Sequence, residues 1–185
     1  MRILGVDPGS ERTGYGCIET RGGRHRVLAS GALSPSARAP FPEKLLTIHQ
    51  GLTALLRTHT PDVVAVEDLF YARNARSALK LGHVRGVVLL AASESSLPVA
   101  EYTPTQVKLA VVGYGRADKH QVRQMIMLLL SLKTAPTPLD VSDALAVAVC
   151  HAHSIGPLNA PAEPGASAAG RPRSWRRYKV SADGS

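Results

Sequence analysis

Near the start of this chain, Ile3-Leu4-Gly5-Val6 is an unbroken apolar run that stops at one acid, Asp7, followed at once by Pro8-Gly9. A short apolar run with no alternation reads as a strand buried on both faces. Pro-Gly then ends the strand and turns the chain. Sheets of α/β proteins place catalytic groups in this way, one carboxylate at the C-terminal edge of a buried strand. An Asp before Pro-Gly is equally at home as a plain turn residue bonding nearby backbone N–H groups. Its role therefore depends on whether other elements aim carboxylates at the same place.

Further along, residues 14–19 and 25–32 read as two more strands joined by a hairpin turn at Arg21-Gly22-Gly23, an antiparallel start to the sheet. Residues 42–58 place Leu45, Ile48, Leu52, Leu55 and Leu56 on one helical face, with Pro42 suited to the first turn. The helix crosses to Val63-Val64-Ala65-Val66, an apolar strand that ends in Glu67 and implies parallel pairing. A long helix is expected over 74–95, burying Leu79, Val84, Val87, Val88 and Ala91, and a short fifth strand over 99–102. Thr103…Gln106 and Asp118…Gln121 are capping-box signatures for two more helices, separated by Gly113-Tyr114-Gly115. Thr137-Pro138-Leu139-Asp140 is expected to cap a last helix over 138–153 that buries Val141, Ala144, Leu145 and Ala148. The fold class is α/β, a five-stranded mixed sheet flanked by helices.

Composition shifts at residue 155. Twelve of the sixteen residues 155–170 are Gly, Ala, Pro or Ser, too few apolar groups to build a core. The expected organisation is one domain over 1–154 and a disordered, basic tail over 155–185. The chain carries 22 basic and 14 acidic residues; the tail holds five and two of them, which leaves 1–154 at +5. Such a surface favours a polyanion, nucleic acid before membrane. No stretch approaches the length of a membrane span and no signal peptide is visible. Cys17 and Cys150 are two cysteines far apart in apolar segments, which argues for a reduced, cytoplasmic setting. Cys150, His151 and His153 resemble a metal cluster on paper, but helical spacing spreads them around the helix.

Asp7 and Glu67 both end apolar strands, and Asp140 and Asp143 lie three apart on one face of the final helix. Taken singly, each has a plain reading; Asp140, for example, complements the helix dipole. Meeting at one point, the four would repel unless cations lay between them, and an all-oxygen set favours Mg²⁺ or Mn²⁺ over zinc. A basic protein with an acidic metal cluster is the signature of a nuclease.

The motifs DPGxxxTGYG at 7–16, VAVEDLFYARN at 64–74, SALKLGHVRG at 77–86, QVKLAVVGYGRADKHQV at 106–122 and DVSDALAVAVCHAH at 140–153 resemble the RuvC family of Holliday-junction resolvases. The resemblance covers nearly all of 1–154. It implies an RNase H-like fold, a homodimer, and Mg²⁺-dependent paired nicking of two like-polarity strands at a four-way DNA junction, in recombination and repair. It also implies two Mg²⁺ per site, with Mn²⁺ as a substitute, and a branch-migration complex of the RuvAB kind as partner. The acids Asp7, Glu67, Asp140 and Asp143 fall on the family's catalytic and metal-holding positions. The third of these is His in some members. Phe70 falls on the aromatic that stacks into the opened junction, and Tyr71 beside it shares the claim. Lys108 and Lys119 match basic residues near the scissile phosphate, Lys119 as a further catalytic group. Arg73, Asn74, Arg76, Lys80 and Arg85 are candidates for DNA-backbone contacts or a dimer face.

Two rivals exist. Asp7-Pro8-Gly9-Ser10 with Thr13-Gly14 also resembles the phosphate-binding first hairpin of an actin-like ATPase or a sugar-kinase half, though the chain lacks room for the second lobe and adenine pocket such a fold needs. A junction-binding subunit without catalysis is the other, and the full set of acids argues against it.

Overall fold

The computed structural model describes residues 1–68 and 75–155. Phe70, Tyr71, Arg73 and the tail beyond residue 155 lie outside the described residues. In chain order the elements are β1 (Arg2–Asp7), β2 (Thr13–Arg21), β3 (Arg24–Leu33), α1 (Phe41–His59), β4 (Val63–Glu67), α2 (Ala75–Glu94), β5 (Val99–Tyr102), α3 (Pro104–Val112), α4 (Lys119–Leu129) and α5 (Leu139–Ser154). The sheet runs β3-β2-β1-β4-β5. β1 pairs antiparallel with β2 and parallel with β4, and β4 pairs parallel with β5. The expected mixed sheet is thus formed, with β2 and β3 a little longer than their apolar stretches.

β1 is buried on both faces, as its run of apolar residues requires. Leu4 and Val6 point with Cys17, Val64 and Val66 toward α1 and α2, which supply Ile48, Leu52, Val84 and Val88. Ile3, Ile18 and Ala65 point the other way, toward α5 and, beyond it, Val107, Val111, Val122 and Ile126 of α3 and α4. Cys17 and Cys150 are buried on opposite sides of the sheet, which keeps them apart.

α5 lies between the sheet and the α3–α4 pair, and from Val141 to Ala152 only Asp143 escapes full burial. Its closeness to the sheet depends on glycine. A Cβ on Gly5 would overlap the Ala144 carbonyl oxygen and come within 2.8 Å of Ala148 N, and one on Gly14 would overlap the Asp140 carbonyl. A Cβ on Gly16 would stand 2.5 Å from Leu145 Cδ2. The strands under α5 therefore offer bare backbone where the helix crosses.

Both expected capping boxes form: Thr103 Oγ1 accepts from Gln106 N–H, and Asp118 accepts from Gln121 N–H. At α5 the expectation is corrected. The N-cap is Pro138, with no side-chain cap bond, after a cis Thr137–Pro138 peptide. Leu79 is also corrected: it is 65% exposed, because the inward stripe of α2 runs through Val84, Val88, Ala91 and Ala92.

Gly5→Ala tests the close approach. A strand glycine replaced by alanine ordinarily gains about 0.5–1 kcal/mol. Here the new methyl meets helix backbone, which cannot rotate away, so a net loss of about 1–3 kcal/mol is expected from urea unfolding.

Candidate active site

Four carboxylates arrive at one corner of the sheet by separate routes. The register pairs Val6 with Val66, so Asp7 and Glu67, each one residue further on, stand side by side at the carboxyl ends of the two central strands. Asp7 also pairs with Gly14 on β2, the glycine over which the Asp140 backbone lies. The first turns of α5 thus set Asp140 and Asp143 above the strand ends. The four acids the sequence singles out are brought together.

Their mutual repulsion shows in the titration of the pair on the strands. Burial, followed by the charges of Glu67, Asp143 and Asp140, pushes the Asp7 carboxyl up to about 8. Glu67 is raised as well, first by burial and next by Asp143, against the pull of Lys119 and Lys108 and a hydrogen bond from Asp7. At neutral pH the pair therefore shares a proton, Asp7 donating to Glu67, an arrangement forced on adjacent half-buried carboxyls.

The two acids of α5 are compensated by cations of the chain itself. Lys119, at the first residue of α4, donates from Nζ to Asp143 Oδ2 at 3.2 Å. The negative charge of Asp143 raises the Lys119 pKa. Arg12 Nη1 donates to Asp140 Oδ2 at 3.4 Å. Sequence reasoning missed Arg12, although it sits inside the first motif; its only signal was its place in the loop that follows Asp7. The two strand acids are thus turned to each other and the two helix acids to separate cations. Among the described residues, no three His, Cys, Asp or Glu side chains stand gathered in ligating geometry. The donor set is nonetheless all oxygen, and one proton and two side-chain cations offset three of its four negative charges, so the charge left over suits a hard divalent cation.

Beside the acids opens a cleft of about 230 Å³ with Val107, Val122 and Ala146 in its wall and Glu67, Asp143, Lys108 and Lys119 at its polar end. Lys108 therefore joins the site. Lys80 does not: its Nζ stands 5.8 Å from the centre of the Phe41 ring, and its charge acts on Glu11. Arg85 is committed to structure, bonded to Glu101 at 2.6 Å and to Asp68 at 3.5 Å. Asp68 directly follows Glu67, and Glu101 lies on β5, a juxtaposition with Arg85 of α2 that spacing along the chain does not reveal. His151 and His153 are each taken up singly, by the Tyr102 hydroxyl at 2.7 Å and by the Ala110 carbonyl at 2.9 Å.

A mixed five-stranded sheet of this order, with carboxylates on two adjacent strand ends and on the helix laid across them, defines an α/β protein of the RNase H-like resolvase class. The chain matches the family described as crossover junction endodeoxyribonuclease RuvC over residues 3–151, and it belongs to that family. It is 53% identical to the RuvC of Koribacter versatilis over 160 residues, 85% of this chain and 96% of the relative. With the RuvC of Syntrophotalea carbinolica the identity is 55% over 153 residues, 83% of this chain and 94% of the relative. Among solved structures, Thermus thermophilus RuvC in complex with a Holliday junction substrate superposes with a TM-score of 0.79 at 38% identity, covering 83% of this chain and 93% of that one. The yeast mitochondrial Holliday junction resolvase Ydc2 shares the fold, with a TM-score of 0.60 at 13% identity over 82% of this chain and 77% of its own.

The shared proton gives a pH signature. Without divalent cations, the native state keeps on Asp7 a proton that the unfolded chain has released above its ordinary 3.8. The metal-free protein should therefore lose stability as pH rises from about 4 to about 8. Thermal unfolding across that range checks this, and Asp7→Asn should flatten the slope. Mg²⁺ added near neutral pH should release about one proton per chain, measured by calorimetry in buffers of different ionisation enthalpy.

Proposed function

We propose that this chain is a structure-selective endonuclease that resolves four-way DNA junctions in recombination and repair. It would nick two like-polarity strands and leave 5′-phosphate and 3′-hydroxyl ends. The observation that carries the reading is the set of four carboxylates at one sheet corner of a basic protein whose family is that of the crossover junction endodeoxyribonucleases.

Asp7, Glu67, Asp140 and Asp143 would hold two Mg²⁺, or Mn²⁺ in their place. When bound, the metal pair acidifies water and neutralises charge on the leaving 3′ oxygen. Glu67 and Asp7 give up their shared proton as the site fills. Lys119, now paired with Asp143 and with 69% of its side chain exposed, is free to turn to the phosphate and stabilise charge building on its oxygens. Lys108, at the polar end of the adjoining cleft, binds the same strand. Phe70 or Tyr71 would stack on bases at the opened crossover. Arg73 would serve as a DNA-backbone contact or as part of a dimer face. Lys80 lies away from the acids, and any backbone contact it makes would fall at the α1–α2 side.

A junction with approximate two-fold symmetry suits a two-fold symmetric dimer, which presents two matched sites. The face opposite α5 fits that need: Leu46, Leu79 and Leu90 are 54%, 65% and 52% exposed. A shallow apolar trough runs there between Leu45, Leu79, Val87 and Leu90. Large exposed apolar side chains in one patch mark an association surface. A branch-migration complex as a further partner rests on family likeness.

The decisive experiment offers a synthetic four-way junction and a linear duplex of the same arms, with Mg²⁺, to the parent chain and to Asp7→Asn. Paired, ligatable nicks on the junction alone are expected from the parent. Asp7→Asn should lower the rate by at least about a thousandfold while it still binds the junction. Binding without cleavage by the parent, in Mg²⁺ or Mn²⁺, would favour a non-catalytic subunit. In sedimentation, Leu79→Glu should shift the chain from dimer to monomer, because the charge would be buried in the trough.

A further inference from the structure

We propose that Arg12 is a substrate-positioning residue, a guanidinium that Asp140 holds in the free chain and that passes to a backbone phosphate of the strand to be cut once divalent cations occupy the carboxylates. This rests on the nuclease reading of the same site and extends it to a residue that reading leaves unassigned.

Three observations carry it. The first is the pair itself: Arg12 Nη1 reaches Asp140 Oδ2 at 3.4 Å, with the arginine side chain 49% exposed. One side of the guanidinium is engaged and the other faces the solvent through which a strand must approach.

The second is the anchoring of its loop. Buried Thr13 donates from Oγ1 to the Gly9 carbonyl at 2.8 Å, closing the turn. The neighbouring Glu11 accepts from Lys44 Nζ at both oxygens, at 2.8 and 2.7 Å. Lys44 is only 7% exposed. Lysine is seldom buried, and an ammonium taken from water requires a partner of this quality. The first turns of α1 thus commit a buried charge to holding the loop in place. With Glu11 tied toward α1, Arg12 is held toward α5.

The third is charge balance. Asp140 cannot serve a divalent cation and keep the guanidinium as its full counter-ion. Beside a bound cation, Arg12 is repelled and needs another anion. A phosphodiester oxygen pair matches its planar fork. Lys119 stands in the same relation to Asp143, so each acid of α5 carries a basic side chain that a strand laid over the acids can take.

The test compares the parent with Arg12→Gln and Arg12→Lys. Junction binding is measured by fluorescence anisotropy over a salt series, once with Ca²⁺ and once with EDTA. Mn²⁺ binding to the DNA-free chain is followed by electron paramagnetic resonance, and KM and kcat are taken in Mg²⁺. Arg12→Gln should bind the junction severalfold more weakly in Ca²⁺, with a log–log salt slope smaller by about one. The deficit should shrink in EDTA, where Asp140 reclaims the guanidinium. Mn²⁺ should bind the DNA-free variant more tightly, by about threefold or more, because the competing cation is gone. The kinetic loss should fall on KM more than on kcat, and Arg12→Lys should restore the slope. An unchanged slope in Ca²⁺, an equal deficit in EDTA, or an unchanged Mn²⁺ affinity would each overturn the proposal. A parent chain that neither prefers nor nicks the junction would instead remove the nuclease reading beneath it, and the parent alone reveals that outcome.

Discussion

The contact on which the site depends is the seating of α5 on the bare backbone of Gly5, Gly14 and Gly16. Side chains on an ordinary sheet hold a helix at a distance set by their own bulk. Here the glycines remove that bulk along the line the helix follows, and the Asp140 backbone comes to rest over the strand pair that carries Asp7. Two acids three residues apart on a helix are thereby brought to two acids on strands. The same closeness explains the composition of α5, in which Ala144, Ala146, Ala148 and Ala152 keep the helix narrow where it is covered on both sides. Packing and chemistry share one cause.

What the packing brings together, electrostatics must then make tolerable. Four carboxylates in a half-buried corner are too much negative charge for the fold to hold unaided. The chain answers with a proton shared by Asp7 and Glu67, Lys119 against Asp143, and Arg12 against Asp140. Each of the three can be exchanged. The proton can leave, and both cations sit on exposed side chains. The site thus carries three exchangeable counter-ions for four carboxylates, and the last negative charge is left without one.

The two sides of the sheet divide the remaining work. The α5 side carries the acids, the adjoining cleft and both capping-box helices, whose N-terminal turns place Lys108 and Lys119. The α1–α2 side packs a conventional aliphatic core inward and shows leucines outward. The sides are not independent. Lys44 of α1 reaches around to hold Glu11, and Arg85 of α2 holds Asp68 just after Glu67. Charged side chains from the apolar side thereby hold Glu11 in the loop after Asp7 and Asp68 next to Glu67.

By itself the sequence determined the elements and the identity of the four acids. Buried strands announce themselves as apolar runs, capping boxes mark where helices begin, and an acid at the end of such a run becomes a candidate once others match its position. These signals are local, and local chemistry produces them. The outward turn of Leu79, the bare start of α5 at Pro138, the commitment of Arg85 to Asp68 and Glu101, and the pairing of Arg12 with Asp140 were decided only by tertiary structure. Each depends on which surfaces meet across the sheet. Arg12 and Asp140 are 128 residues apart in the chain, so no periodicity links them. They meet because glycines on two strands let a helix come close enough to bring its first acid beside the loop after Asp7.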